Sequence, residues 1–153
     1  MLTCDLAAKL KREGTSLCER MDALYAELGY HEAKVISMEL KGPNAMELSA
    51  KFMADFRANV PTELCGAAVT SVTDYQTRIC RDLVNGTETP VLLPKSNVVT
   101  LELGDKGSVI VRPSGTEPKV KLYLTAVDSD KETAKQLLEK LAEKMSEFLP
   151  KNA

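Results

Sequence analysis

The sequence predicts an α+β fold: a mostly antiparallel sheet with two helices packed on one face, preceded by two short helices. Three observations lead there. Apolar residues recur every three or four positions as far as Gly29 and every second position beyond Ala33. Two later amphipathic segments, one around Phe52 and one near the C-terminus, enclose a stretch, residues 67–126, with strand composition and turn signals. Within that stretch Val120, Leu122, Leu124 and Ala126 alternate with Lys119, Lys121, Tyr123 and Thr125, the pattern of a strand with one apolar and one polar face.

The elements follow in order. Leu6, Ala7 and Leu10 form a short stripe that ends at Gly14, placed as a C′ glycine. Thr15-Ser16 offers the next N-cap, and Ser16 with Glu19 has capping-box spacing. Leu17, Met21, Leu24 and Leu28 then share one helical face, closed by Gly29. Two short helices cannot build a core, so this face needs a partner to cover it. Ile36, Met38 and Leu40 alternate with Val35, Ser37 and Glu39 as a half-buried strand. Gly42-Pro43-Asn44 turns the chain, with Asn44 as N-cap of a helix whose Leu48, Phe52 and Phe56 face the core and which stops near Asn59-Val60-Pro61. Residues 68–72 and 75–84 read as strands, followed by the hairpin signal Asn85-Gly86. Pro90 and Pro94 place a loop or a sheet edge next. Residues 98–103 and 109–112 flank a turn at Gly104-Asp105-Lys106-Gly107. In the final helix Ser129 and Glu132 have capping-box spacing, and Ala134, Leu137, Leu138, Leu141, Met145 and Phe148 form the buried stripe. Pro150 and Lys151-Asn152-Ala153 end it.

Composition narrows the function. The 153 residues suit one core, or one core with an appendage, and leave little room for a large multidomain enzyme. Apolar residues at 44% and charged residues at 27% describe a globular chain. Twenty Lys plus Arg against 22 Asp plus Glu give a net charge of −2, too balanced for a general nucleic-acid partner. No apolar run approaches the roughly 18 residues of a membrane span, and Asp5 and Lys9 interrupt any signal-like core at the start. A cytoplasmic protein is therefore expected. Cys4, Cys18, Cys65 and Cys80 include no Cys-x-x-Cys, and His31 is the single histidine. Reduced thiols, some of them buried, a surface or interface His31 and no metal site in this chain are the expectations.

Chemistry concentrates at Arg112-Pro113-Ser114-Gly115-Thr116-Glu117-Pro118. Two prolines stiffen the loop, and Gly115 allows either a positive φ or the close approach of a ligand. Ser114 and Thr116 bring hydroxyls, consecutive backbone N–H groups around Gly115 can form an anion-binding concavity, and Arg112 adds a planar fork. Lys121, on the polar face of the following strand, can converge on the same anion. The same residues also suit an ordinary hairpin loop. No histidine accompanies Ser114 or Thr116 to act as base, no Asp-x-Asp-x-Asp cluster offers a hard-cation site, and Glu117 is expected to turn to a backbone or cationic partner. Taken residue by residue this is an anion-binding module with no catalytic residue of its own.

The run Val111-Arg112-Pro113-Ser114-Gly115-Thr116-Glu117-Pro118-Lys119 resembles the phosphate-binding loop in the C-terminal domain of the α-D-phosphohexomutases, the phosphoglucomutase/phosphomannomutase family. Leu93-Pro94-Lys95-Ser96-Asn97-Val98 and Lys121-Leu122-Tyr123 look most like its bacterial α-phosphoglucomutase branch. Upstream, the segments from Gly14-Thr15-Ser16-Leu17 to Leu28-Gly29-Tyr30 resemble the helical end of the family's third domain, and Leu40-Lys41-Gly42 and Asp55-Phe56-Arg57 continue the likeness.

The resemblance implies a four-domain parent, an intramolecular phosphotransferase interconverting glucose 1-phosphate and glucose 6-phosphate. Its phosphoserine, its Mg2+-holding aspartates and its sugar-reading loop lie outside this chain. Glucose 1,6-bisphosphate is implied as intermediate or activator. The fourth domain holds the phosphate that is not reacting, a role that falls on Arg112, Ser114, Gly115, Thr116 and Lys121. Residues 1–30 then read as a helical remnant of the third domain and 31–153 as the C-terminal phosphate-binding domain. The partners implied are a hexose phosphate and the missing N-terminal domains, Met1 reads as an internal methionine, and the chain alone is expected to be inactive. Three alternatives stand beside this: an autonomous phosphosugar-binding regulatory module, a structural domain whose basic loop pairs with its own carboxylates, and a fragment of a mutase for mannose or glucosamine phosphate.

Overall fold

In the computed structural model, which describes residues 1–149, two helices come first, α1 (Leu2–Arg12) and α2 (Leu17–Leu28). There follow β1 (Tyr30–Glu39), α3 (Ala45–Ala58), β2 (Glu63–Leu64), β3 (Ala67–Ala68), β4 (Ser71–Asp74), β5 (Ile79–Asp82), β6 (Thr87–Pro90), β7 (Val99–Glu102), β8 (Gly107–Pro113), β9 (Lys119–Asp128) and α4 (Lys131–Phe148). Seven strands form one antiparallel sheet in the order β1-β9-β8-β7-β4-β5-β6, while β2 and β3 pair separately. The predicted α+β architecture is what the chain adopts. The expected helix end at Pro150 lies outside the described residues.

One face of the sheet is the core. Val120, Leu122, Leu124 and Ala126 of β9 are buried with Val109 and Val111 of β8 and Val99 and Leu101 of β7. Phe52, Met53 and Phe56 of α3 and Leu138, Leu141, Ala142 and Met145 of α4 cover them. Phe56 meets Phe148 edge-on with ring centroids 6.0 Å apart, so both helices occupy the same face. Each Val, Leu, Met or Phe among them contributes about 1.5–3 kcal/mol on burial. The opposite face carries Arg112, Lys121, Ser37, Ser108, Thr125 and Glu102, as the pairing of their strands requires.

Ahead of the sheet, the Ser16–Glu19 capping box forms as predicted, with the Glu19 N–H donating to Ser16 Oγ at 3.2 Å and the Ser16 N–H to Glu19 Oε2 at 2.8 Å. Yet α2 buries no residue. Leu17, Met21 and Leu28 remain exposed, and nothing among the described residues covers them. The helix joins β1 through Gly29 and through Tyr25, which stacks on Tyr30 with centroids 5.1 Å apart.

Several local expectations are corrected. The strand predicted over residues 75–84 is broken, because the Asp74 carboxylate accepts the Gln76 N–H and Arg78 turns to a φ of 62°, closing a hairpin at 75–78. Asn44 stands at the N-cap position, but its side chain makes no capping bond. The cap of α4 is Asp130, whose carboxylate accepts the Thr133 N–H at 2.8 Å, while Ser129 donates to Asp128 instead. β1 begins at Tyr30, opposite Asp128, three residues before the period change suggested. All four cysteines are free thiols, but none is buried: Cys4, Cys18 and Cys65 are exposed and Cys80 is half-buried. His31 is exposed, as expected.

Gly107 holds φ at +126°, and a Cβ there would stand 2.0 Å from the Thr125 carbonyl oxygen of β9. Gly107→Ala is expected to cost about 2–4 kcal/mol, read as a lower urea midpoint at unchanged slope. Hydrogen bonds from Thr133 hold the Asp130 carboxyl below its usual range. Its stabilising effect is therefore full above the ordinary carboxylate pKa and disappears as pH falls through the lowered one. The stability gap between the parent chain and Asp130→Ala should narrow accordingly when unfolding is followed from pH 7 into acid.

Candidate functional site

The loop 114–118 joins the ends of β8 and β9, and its backbone bonds leave a defined set of donors. The Ser114 N–H donates to the Lys119 carbonyl at 2.7 Å and the Lys119 N–H to the Glu117 carbonyl at 2.7 Å. The Glu117 N–H donates to Ser114 Oγ at 3.3 Å. From outside the hairpin, the Leu40 N–H reaches the Pro118 carbonyl at 2.7 Å, tying the loop to the end of β1. Among the described residues, the N–H groups of Gly115 and Thr116 and the Thr116 hydroxyl meet no protein acceptor. The Ser114 hydroxyl, already accepting from Glu117, keeps its own proton to donate. The run of free N–H groups around Gly115 is thus limited to Gly115 and Thr116, since those of Ser114 and Glu117 are consumed.

Gly115 is also simpler than expected. Its φ lies outside the left-handed region, so the positive-φ alternative does not hold. A Cβ there would meet no atom within 4 Å. The backbone at 115 is bare toward open space, so the protein itself does not bar the close approach of another molecule there.

At the foot of the loop, Arg112 and Lys121 are direct partners across β8 and β9. Cross-strand partners have Cβ atoms about 4.5–5.5 Å apart, and like charges so placed are destabilising. Neither cation has a carboxylate or hydrogen-bond partner among the described residues. Lys119 differs: its ammonium lies 3.3 Å from Glu117 Oε2, so Glu117 turns to a cationic partner as anticipated. The site therefore presents two N–H groups, two hydroxyls, a guanidinium and an ammonium, and its one carboxylate is engaged elsewhere. Such a set can hold an anion. A proton-transfer partner is missing from it, since His31 lies at the other end of β1, opposite Val127.

All five residues singled out in the sequence come together on this hairpin. Two contributors went unnoticed, the Leu40 N–H that anchors Pro118 and Ser37, which stands opposite Lys121 on the same face. Only the register of β1 against β9 could reveal them, and that is a long-range property.

Residues 82–144 match the family model of the phosphoglucomutase/phosphomannomutase C-terminal domain. Among curated relatives, a phosphoglucomutase of Staphylococcus epidermidis is 35% identical over 119 residues, 78% of this chain and 22% of that protein. One of Staphylococcus aureus (strain MRSA252) is 37% identical over 119 residues, 78% of this chain and 21% of the relative. The chain thus spans less than a quarter of the relatives it matches. Among solved structures, the open form of the exocytosis-sensitive phosphoprotein pp63/parafusin (phosphoglucomutase) from Paramecium aligns with a TM-score of 0.56 at 14% identity, covering 87% of this chain and 22% of that one. That likeness concerns the fold.

The opposed cations make a test independent of any ligand. Lys121→Gln removes the repulsion, and should raise stability by about 0.2–1 kcal/mol at low ionic strength. The gain should vanish near 1 M salt, where screening shortens the reach of a charge to about 3 Å. Paired urea titrations at the two salt concentrations check it.

Proposed function

We propose, for a chain that carries the C-terminal domain of the phosphoglucomutase/phosphomannomutase family, that the β8–β9 hairpin holds the phosphate of a hexose phosphate remote from the reacting oxygen. The observation that carries this is the pair of uncompensated cations, Arg112 and Lys121, at the foot of a loop with free N–H groups at Gly115 and Thr116. Arg112 grips two phosphate oxygens with its fork, Lys121 adds a point charge, and the N–H groups of Gly115 and Thr116 and the hydroxyls of Ser114 and Thr116 complete the cradle. A purely structural hairpin would pair its cations internally, as Lys119 does with Glu117.

Fixing the remote phosphate orients the sugar, so binding energy gained here contributes to the barrier elsewhere. A site that reads only phosphate accepts either end of the sugar phosphate, which suits an enzyme that passes through a bisphosphate. The reaction itself, interconversion of glucose 1-phosphate and glucose 6-phosphate with glucose 1,6-bisphosphate as intermediate, belongs to a longer, cytoplasmic polypeptide in this proposal. The phosphoserine would come from that part. Mg2+ belongs there too: no three His, Cys, Asp or Glu side chains converge among the described residues, so these do not fit a hard divalent ion, and no step here passes through one.

Residues 1–30 are proposed to complete the preceding domain. The uncovered face of α2 supports this over an autonomous regulatory module, which would bury Leu17, Met21 and Leu28. Whether the sugar is glucose, mannose or glucosamine is decided by residues outside this hairpin.

Titration of the 153-residue chain with glucose 1-phosphate, followed at backbone amides, should move Gly115 and Thr116 most. Gly115→Ala should keep the unfolding midpoint within about 0.5 kcal/mol of the parent. The same substitution should weaken binding at least tenfold, by placing a methyl where the phosphate approaches. Unmoved amides in the parent chain, or unaltered binding by Gly115→Ala, would overturn the cradle.

A further inference from the structure

The carboxylates around the hairpin are distributed unevenly. Glu117 lies 3.3 Å from the Lys119 ammonium, and Glu39 of β1 is the cross-strand partner of Lys119 on its other side. One row further along, Arg112 and Lys121 face each other with Ser37 as the next neighbour and no carboxylate at all. Of three cations on one face of two adjacent strands, the acidic groups therefore cover one and leave two.

We propose that Glu117 is a specificity-determining residue, which by holding Lys119 withholds a third cation from the cradle and limits it to one phosphoryl dianion at a time. A bisphosphate with its groups far apart is accepted, and a diphosphate with adjoining groups is not. This rests on the phosphate-cradle reading above. Two free cations match the two negative charges of one phosphate monoester. Lys119 and Lys121 are two residues apart on the same face of β9, a Cα separation of about 6.7 Å, so a released Lys119 reaches the second phosphoryl group of a diphosphate seated on Lys121. The Glu117 side chain is 57% exposed and that of Lys119 28%. Exposed pairs of this kind are weak, and the pair acts here by where it keeps the lysine rather than by stabilising the fold. Glu117 thus favours isolated phosphoryl groups over the polyphosphates and nucleotides that present two or three in a row.

The test compares inorganic phosphate with pyrophosphate on the 153-residue chain at fixed ionic strength, read at the amides of Gly115 and Thr116. Glu117→Gln should tighten pyrophosphate roughly fivefold while changing phosphate less than about twofold, and Glu117→Gln with Lys119→Gln should restore the parent ratio. Equal tightening of both anions would reveal general repulsion by the carboxylate and overturn the proposal, as would an unchanged ratio. Phosphate that moves no amide in the parent chain refutes the cradle itself, and the selectivity with it.

Discussion

Everything in this domain depends on the register of β9. It is paired on both sides, with β1 through ten partners and with β8 through seven, without a bulge in either ladder. A slip of one residue on either side would turn Val120, Leu122 and Leu124 to solvent and drive Lys119 and Lys121 into the core. The register is pinned at one end by Gly107, which lets β8 lie against the Thr125 carbonyl. At the other end the Ser114–Lys119 and Leu40–Pro118 bonds close the loop. The alignment that fills the core also sets Arg112 opposite Lys121, so packing and site have a common origin.

The helices fix the far end of the sheet. Arg57, near the end of α3, donates from Nε to Asp74 Oδ2 at 3.1 Å and from Nη2 to Asn97 Oδ1 at 2.6 Å. One side chain thereby ties a helix to β4 and to the segment between β6 and β7. With the Arg57 and Asp74 side chains only 22% and 15% exposed, the pair is shielded better than a surface ion pair, and loss of either partner would leave a poorly solvated charge. On β9, Asp128 takes the Lys106 ammonium at 2.9 Å, which lowers the pKa of its carboxyl.

Long-period patterns were legible in the residues; short-range competition was not. The alternation of β9 and the stripes of α3 and α4 each summed over many positions and were found where expected, except that Leu48 of α3 is exposed and Ser49 and Met53 are buried in the stripe with Phe52 and Phe56. Ser129 and Asp130 both suit an N-cap, and only the geometry leaving β9 decides between them. The break at 75–78 turned on one carboxylate folding back on its own chain, a local bond that strand composition does not register. At the hairpin, the donors were readable as residue types. Which of them the backbone had already engaged was not, because the bonds of Ser114 and Pro118 are set by pairing with Lys119 and Leu40.

The facing cations have a thermodynamic side that outlasts any particular ligand. Arg112 and Lys121 load the sheet with repulsion, which a dianion bound as proposed would discharge. If the proposed anion site holds, occupancy and sheet stability are linked functions: whatever keeps the strands in register prepares the site, and a bound anion would return that free energy to the strands. A residue pair that burdens the fold by itself would, on the proposed reading, make the pairing of β8 and β9 responsive to charge.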